Sequence, residues 1–93
     1  MKAVWCGQMI AQSDRTVEAG GYRYFPRRTV RMDLLRKAPK TESDLACPHG
    51  VQFFDVTVGS ASCVRAAWSY EAPHPSMQHV DQWIGFWEDV QVR

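Results

Sequence analysis

Two β-rich runs on either side of Gly59-Ser60 constrain this chain more than any other feature. Val51 to Val58 is one run, and the other ends Ala66-Ala67-Trp68-Ser69-Tyr70. A two-residue turn led by glycine joins such runs as antiparallel strands, so the centre of the chain reads as a hairpin. Alternation assigns Phe54, Val56 and Val58 to one buried face, and Phe53, Asp55 and Thr57 to the other. On the second strand Ala66, Trp68 and Tyr70 share a face. The entry to the hairpin carries Cys47-Pro48-His49-Gly50, a cluster found nowhere else in the chain.

The same signals recur upstream. Lys2 to Trp5 and Gln8 to Gln12 flank Cys6-Gly7, and Thr16 to Glu18 and Tyr22 to Phe25 flank Gly20-Gly21. Each pair predicts a short hairpin, and Pro26 ends the fourth strand because it has no N–H for a ladder. From Arg28 to Leu35 the spacing of Val30, Leu34 and Leu35 predicts a short helix with Thr29 as its N-cap. Ala38-Pro39-Lys40 is a break, and Thr41 to Cys47 leads into the central hairpin. Downstream, Ser76 to Gln82 predicts one or two helical turns capped by Ser76. Trp83 to Trp87 and Val90 to Arg93 predict a closing hairpin or strand pair. The fold class is mainly β (α+β): one compact antiparallel domain over residues 1–93 with one or two short helices.

Composition bounds the function. At 93 residues the chain has room for one modest core, and its four Trp, four Phe and three Tyr supply much of the packing mass. Net charge is +1, so no general field gathers nucleic acid or an acidic membrane surface. Five cations between Arg27 and Lys37 form the only basic concentration, read as a solvated face with Asp33 as a local partner. No apolar run approaches the length of a bilayer span. Cys6, Cys47 and Cys63 cannot all pair with one another, and no hydrophobic leader opens the chain. Free thiols in a reducing cytoplasm are the expectation.

The residues raise four chemistries. Cys47, His49, Cys63, His74 and His79 are zinc-ligand types, but their spacing matches no knuckle and Cys-x-x-Cys is absent, so no metal is expected. Cys47 two residues from His49 could form an activated thiol, against the plainer reading of a small half-buried one. Phosphate transfer lacks its Gly-rich loop, and Gly59-Ser60 lacks the close aspartate pair that a metal-dependent nucleotidyl transfer needs. Tyr22-Arg23-Tyr24-Phe25 with Arg27 and Arg28 is the best match to a single-strand binding platform, and core packing explains those rings more simply. No cofactor and no nucleic-acid partner are expected.

Tyr24-Phe25-Pro26, Cys47-Pro48 with Gly50, and the run from Ala66 to Pro73 resemble motifs of the domain-of-unknown-function 427 family of small bacterial proteins. Ala3-Val4-Trp5-Cys6-Gly7 is similar to its Ala-Ile-Trp-Asn-Gly opening, and Ser13-Asp14-Arg15-Thr16 falls at its Ser-x-x-Thr. Tyr24-Phe25-Pro26 repeats its Tyr-Phe-Pro, and Cys47-Pro48 with Gly50 resembles its Cys-Pro-x-Lys-Gly turn. Phe54-Asp55-Val56 stands at the matching place, and Phe86-Trp87 with Asp89-Val90-Gln91-Val92 fits its C-terminal pattern. Ala66-Ala67-Trp68-Ser69-Tyr70-Glu71-Ala72-Pro73, against Ala-Ala-Trp-x-Tyr-x-x-Pro, is the most specific piece. The resemblance implies a β-tent-like, cytoplasmic, often stand-alone domain with no established activity, in a family that has carried a nucleotidyltransferase label. Two positions depart from the pattern: Arg23 replaces the family's His before Tyr-Phe-Pro, and the Cys-Pro turn is one residue shorter, with His49 and no lysine.

The expected site is a small-ligand pocket beside the Cys47–Gly50 turn, using Arg23, Tyr24, Cys47, His49, Asp55, Trp68 and Tyr70, with an anionic or planar small molecule as partner. The alternatives are an enzyme using Cys47 or His49, and a structural or partner-binding module presenting an exposed apolar patch.

Overall fold

The hairpins named from their turns are the scaffold of the structure, a computed structural model that describes all residues 1–93. Its elements run β1 (Lys2–Trp5), β2 (Gln8–Gln12), β3 (Val17–Ala19), β4 (Tyr22–Phe25), β5 (Leu35–Lys37) and α1 (Glu42–Ala46). The long strands β6 (Val51–Val58) and β7 (Ala61–Tyr70) follow, then β8 (Ile84–Phe86) and β9 (Gln91–Val92). Three 3₁₀ segments, Arg27–Thr29, Met32–Leu34 and Pro75–Val80, link them. No helix is long and apolar enough to cross a membrane.

The strands form two antiparallel sheets. One has the order β2-β1-β9 and the other β3-β4-β8-β7-β6-β5. The β1–β2 turn puts Cys6 at φ 55° and Gly7 at φ 73°, the paired left-handed geometry of a tight two-residue hairpin. Gly59 opens the β6–β7 turn at φ 60°.

Residues from both sheets meet in the main core. Ala3, Ile10 and Ala11 come from the smaller sheet; Phe25, Phe54, Val56, Ala67, Ile84 and Phe86 come from the larger. A second cluster lies on the opposite face of the larger sheet, around Tyr24, Val51, Trp68 and Val80. Alternation along β6 therefore sends Phe54 and Val56 to the main core and Val51 and Phe53 to the second cluster.

Three expectations are corrected. The helix over Arg28 to Leu35 is absent: two 3₁₀ turns stand there, and Leu35 already pairs with Val56 in β5. The Thr29 hydroxyl donates back to the Pro26 carbonyl at 2.7 Å, and Arg31 N–H donates to the Ile10 carbonyl at 2.8 Å. Arg31 alone reaches across in this way, next to the Val30–Ala11 bridge; Val30, Leu34 and Leu35 N–H donate three residues back, to the Arg27, Arg31 and Met32 carbonyls, the i→i+3 pattern of 3₁₀ turns rather than an α-helical ladder. The chain's α-helix is instead α1, in the stretch read only as a lead-in. The last two strands also do not pair with each other: β8 sits between β4 and β7, and β9 crosses to β1. Glu88 at φ 58° lies in the connection between them. Finally, His74 rather than Ser76 occupies the N-cap position of Pro75–Val80.

Candidate functional site

A capping box builds one wall of the site. The Thr41 hydroxyl accepts from Asp44 N–H at 3.2 Å, and the Asp44 carboxylate accepts from Thr41 N–H at 3.0 Å. Reciprocal bonds of this kind fix the first turn of α1 and, with it, the direction of the Asp44 side chain. Asp44 is 4% exposed on its side chain and takes a two-pronged ion pair from Arg65, Nη1 to Oδ2 at 3.0 Å and Nη2 to Oδ1 at 2.9 Å. The Arg65 bonds hold the Asp44 carboxyl down at about 2, against burial, which acts upward.

Arg65 reaches Asp44 because the β6–β7 ladder is interrupted. The register slips between Phe54 and Val56, and Arg65 stands at φ 55°. A non-glycine residue in that region costs about 1 kcal/mol. Asp55 offsets it by accepting the Arg65 N–H on Oδ1 at 2.9 Å. The bulge has two consequences. The Arg65 guanidinium lies 4.0 Å from the centre of the Phe53 ring, and the Arg65 carbonyl accepts the indole N–H of Trp87 at 2.5 Å. One backbone irregularity thus orients both Phe53 and Trp87.

Between α1 and this face of the larger sheet is a hollow of about 320 Å³. Tyr22, Val51, Phe53, Trp68, Tyr70 and Trp87 give its apolar walls; Cys47, Ser43 and Asp44 close it on the α1 side. The rings interlock edge to face. Tyr22 meets Trp68 at 5.0 Å and 86°, and Trp87 meets Trp68 at 5.6 Å and 73° between planes. Beneath them the buried Tyr24 hydroxyl accepts the Trp68 indole N–H at 3.4 Å. Burial, the main cause, pushes that phenol well above the usual tyrosine range, so it stays protonated. Trp68 itself rests on its cross-strand partner Gly85, where an added Cβ would lie 2.7 Å from Cζ2.

Of the residues expected at the site, Cys47, Trp68 and Tyr70 line the hollow, and Tyr24 supports its floor. Arg23 does not line it: as the strand neighbour of Tyr24 it faces the other way, with Nη1 3.5 Å from the Thr16 hydroxyl. His49 lies beside the hollow, its ring 5.0 Å from that of Tyr70 and its Nδ1 accepting His74 N–H at 2.9 Å. No hydrogen bond joins it to the Cys47 thiol. Asp55 is engaged by the bulge. Residues not anticipated are Tyr22, Ser43, Asp44, Val51, Phe53 and Trp87. Strand parity with Tyr24 and pairing with Trp68 would have pointed to Tyr22 and Phe53, and Thr41-x-x-Asp44 to the cap.

The hollow offers stacking surfaces and a carboxylate that is already paired. It offers no free cation, and nowhere in the chain do three His, Cys, Asp or Glu side chains gather as a metal site.

Two antiparallel sheets, with an aromatic hollow on the outer face of the larger, define a small β domain. The chain belongs to the domain of unknown function 427 (DUF427) family, whose model matches residues 1–93. A comparison with curated proteins finds no match.

Proposed function

We propose that the hollow binds a planar, largely apolar small molecule. The observation that carries this reading is a concavity of about 320 Å³ walled by five aromatic rings, with its polar groups, the tyrosine hydroxyls apart, on its α1 side. Ligand sites of small proteins have this composition, and the volume suits a one- or two-ring compound. Perpendicular rings present faces and edges at once, so a flat guest gains both stacking and edge-to-face contact. An anionic guest is less well matched: no cation lines the hollow, and Arg65, which lies over the Phe53 ring, is clamped to Asp44.

The test is a thermal-shift and tryptophan-fluorescence titration with indole, nicotinamide, adenine and uracil as planar probes, and inorganic phosphate and acetate as anions. At least one planar probe should raise the melting midpoint, by an amount that corresponds to about 2.7 kcal/mol at a hundredfold excess over Kd. Phe53→Ala should remove the effect, and Arg23→Ala should leave it intact. Stabilisation by the anions alone, or by no probe, overturns the proposal.

A further inference from the structure

The geometry points to a ligand that presents an N–H donor edge to Asp44 and Ser43, that is, a neutral nitrogen heteroaromatic rather than a hydrocarbon, oxygen heterocycle or carboxylated ring. This inference rests on the planar-ligand reading and adds the chemistry of one edge.

Three observations carry it. First, the polar wall is one-sided: Ser43 and Asp44 come from consecutive positions of α1, whereas the sheet side of the hollow is aromatic and aliphatic apart from its tyrosine hydroxyls. A flat guest lying against the rings therefore turns one edge toward α1. Second, the hydrogen-bond inventory of Asp44 is incomplete on one oxygen. Oδ2 accepts from both Arg65 Nη1 and Thr41 N–H, while Oδ1 accepts from Arg65 Nη2 alone. A carboxylate oxygen has two lone pairs, so Oδ1 keeps room for one more donor. Ser43, exposed and lining the same hollow, makes no side-chain hydrogen bond within the protein, so its hydroxyl is free to accept or donate. Third, the carboxyl is held ionised by Arg65, so this wall is acceptor-only at Asp44 throughout the neutral range.

The arrangement also discriminates. A ring oxygen or carboxylate at that edge would meet the Asp44 lone pairs with no proton between them, and the loss of solvation would go unrepaid. A ring N–H forms a charge-assisted bond, the stronger kind. Arg65 fixes the carboxylate before the ligand arrives, so little side-chain freedom is lost on binding.

The experiment uses the intact chain and a matched pair of probes, indole and benzofuran, equal in shape and differing in N–H against ring oxygen. Fluorescence titration of the protein should show indole binding at least about tenfold tighter, as one charge-assisted hydrogen bond implies. Ser43→Ala should narrow the gap and leave the melting midpoint of the free protein unchanged. Asp44→Asn should narrow it further, with its fold checked by circular dichroism; the wild-type comparison stands even if that variant unfolds. Equal affinity for the two probes overturns the donor-edge assignment while leaving the planar-ligand reading in place. Binding of neither probe, together with failure of every planar compound tested above, overturns both.

Discussion

Replacing Gly85 by alanine should damage the floor of the hollow in a way that stability and binding both report. Gly85 has no left-handed backbone requirement; what excludes a side chain is Trp68, whose indole covers it. A Cβ there would sit 2.7 Å from Cζ2, 2.8 Å from Cε2 and 3.1 Å from Cη2. Ordinary carbon contact is about 3.5–4.0 Å, so the ring must retreat by roughly 1 Å. Tyr22, Tyr24, Phe53 and Trp87 all crowd Trp68, and the open space is the hollow itself. Forced repacking of this kind costs about 1–3 kcal/mol, and the lower entropy of alanine in the unfolded chain returns about 0.4–1 kcal/mol. The net loss is about 1–2 kcal/mol. For a chain of this size that lowers the melting midpoint by about 4–8 °C per kcal/mol. Urea unfolding followed by tryptophan fluorescence gives the stability, and the planar-probe titration gives the affinity, which should fall as the indole enters the hollow. A Gly85→Ala protein with unchanged stability and unchanged probe affinity refutes the assignment of Trp68 as a floor pressed against Gly85.

Two further outcomes are expected. Because the Asp44 carboxyl is held at about 2 instead of the usual 3.8, it contributes stability above pH 4 that disappears as the pH falls through 2. The full shift corresponds to roughly 2 kcal/mol, and with Arg65 29% exposed, solvent screening reduces it to about 1 kcal/mol. Urea midpoints measured between pH 5 and 2 should therefore fall less steeply in Asp44→Asn than in the wild type; parallel curves count against the ion pair. Alkylation should follow exposure, Cys6 fastest, Cys47 intermediate and Cys63 slowest, and a bound planar probe should slow Cys47 alone. Protection spread over all three thiols would contradict the placement of Cys47 on the hollow.

Much of this architecture was legible in the sequence because glycines sit where the chain reverses. Cys6-Gly7, Gly20-Gly21 and Gly59-Ser60 each join paired strands. The segment from Arg28 to Leu35 misled because helical spacing is a local signal, and the partners that overrode it, the Ile10 carbonyl and Ala11, lie some twenty residues away. Thr41 and Asp44 carried a readable cap, but a five-residue helix shows too little periodicity to announce itself. At the site, Trp68, Tyr70 and Cys47 were legible through the hairpin and the turn before it. Arg23 could have been set aside by parity alone, since Tyr24 beside it takes the inward face. Asp55 could not, because alternation on β6 does place it on the Phe53 face, and no residue in the local sequence marks the slip in β7 that brings the Arg65 N–H to its carboxylate. The role of Arg65 was hidden for the same reason.

The indole N–H signals of the four tryptophans, followed by NMR as a planar probe is added, test the hollow as a binding site most directly. Trp68 and Trp87 line the hollow, Trp5 belongs to the smaller sheet, and Trp83 lies outside the lining. The expected result is saturable movement of the Trp68 and Trp87 signals with Trp5 and Trp83 nearly still. Movement centred on Trp5, or none at any tryptophan for every planar probe, would contradict it.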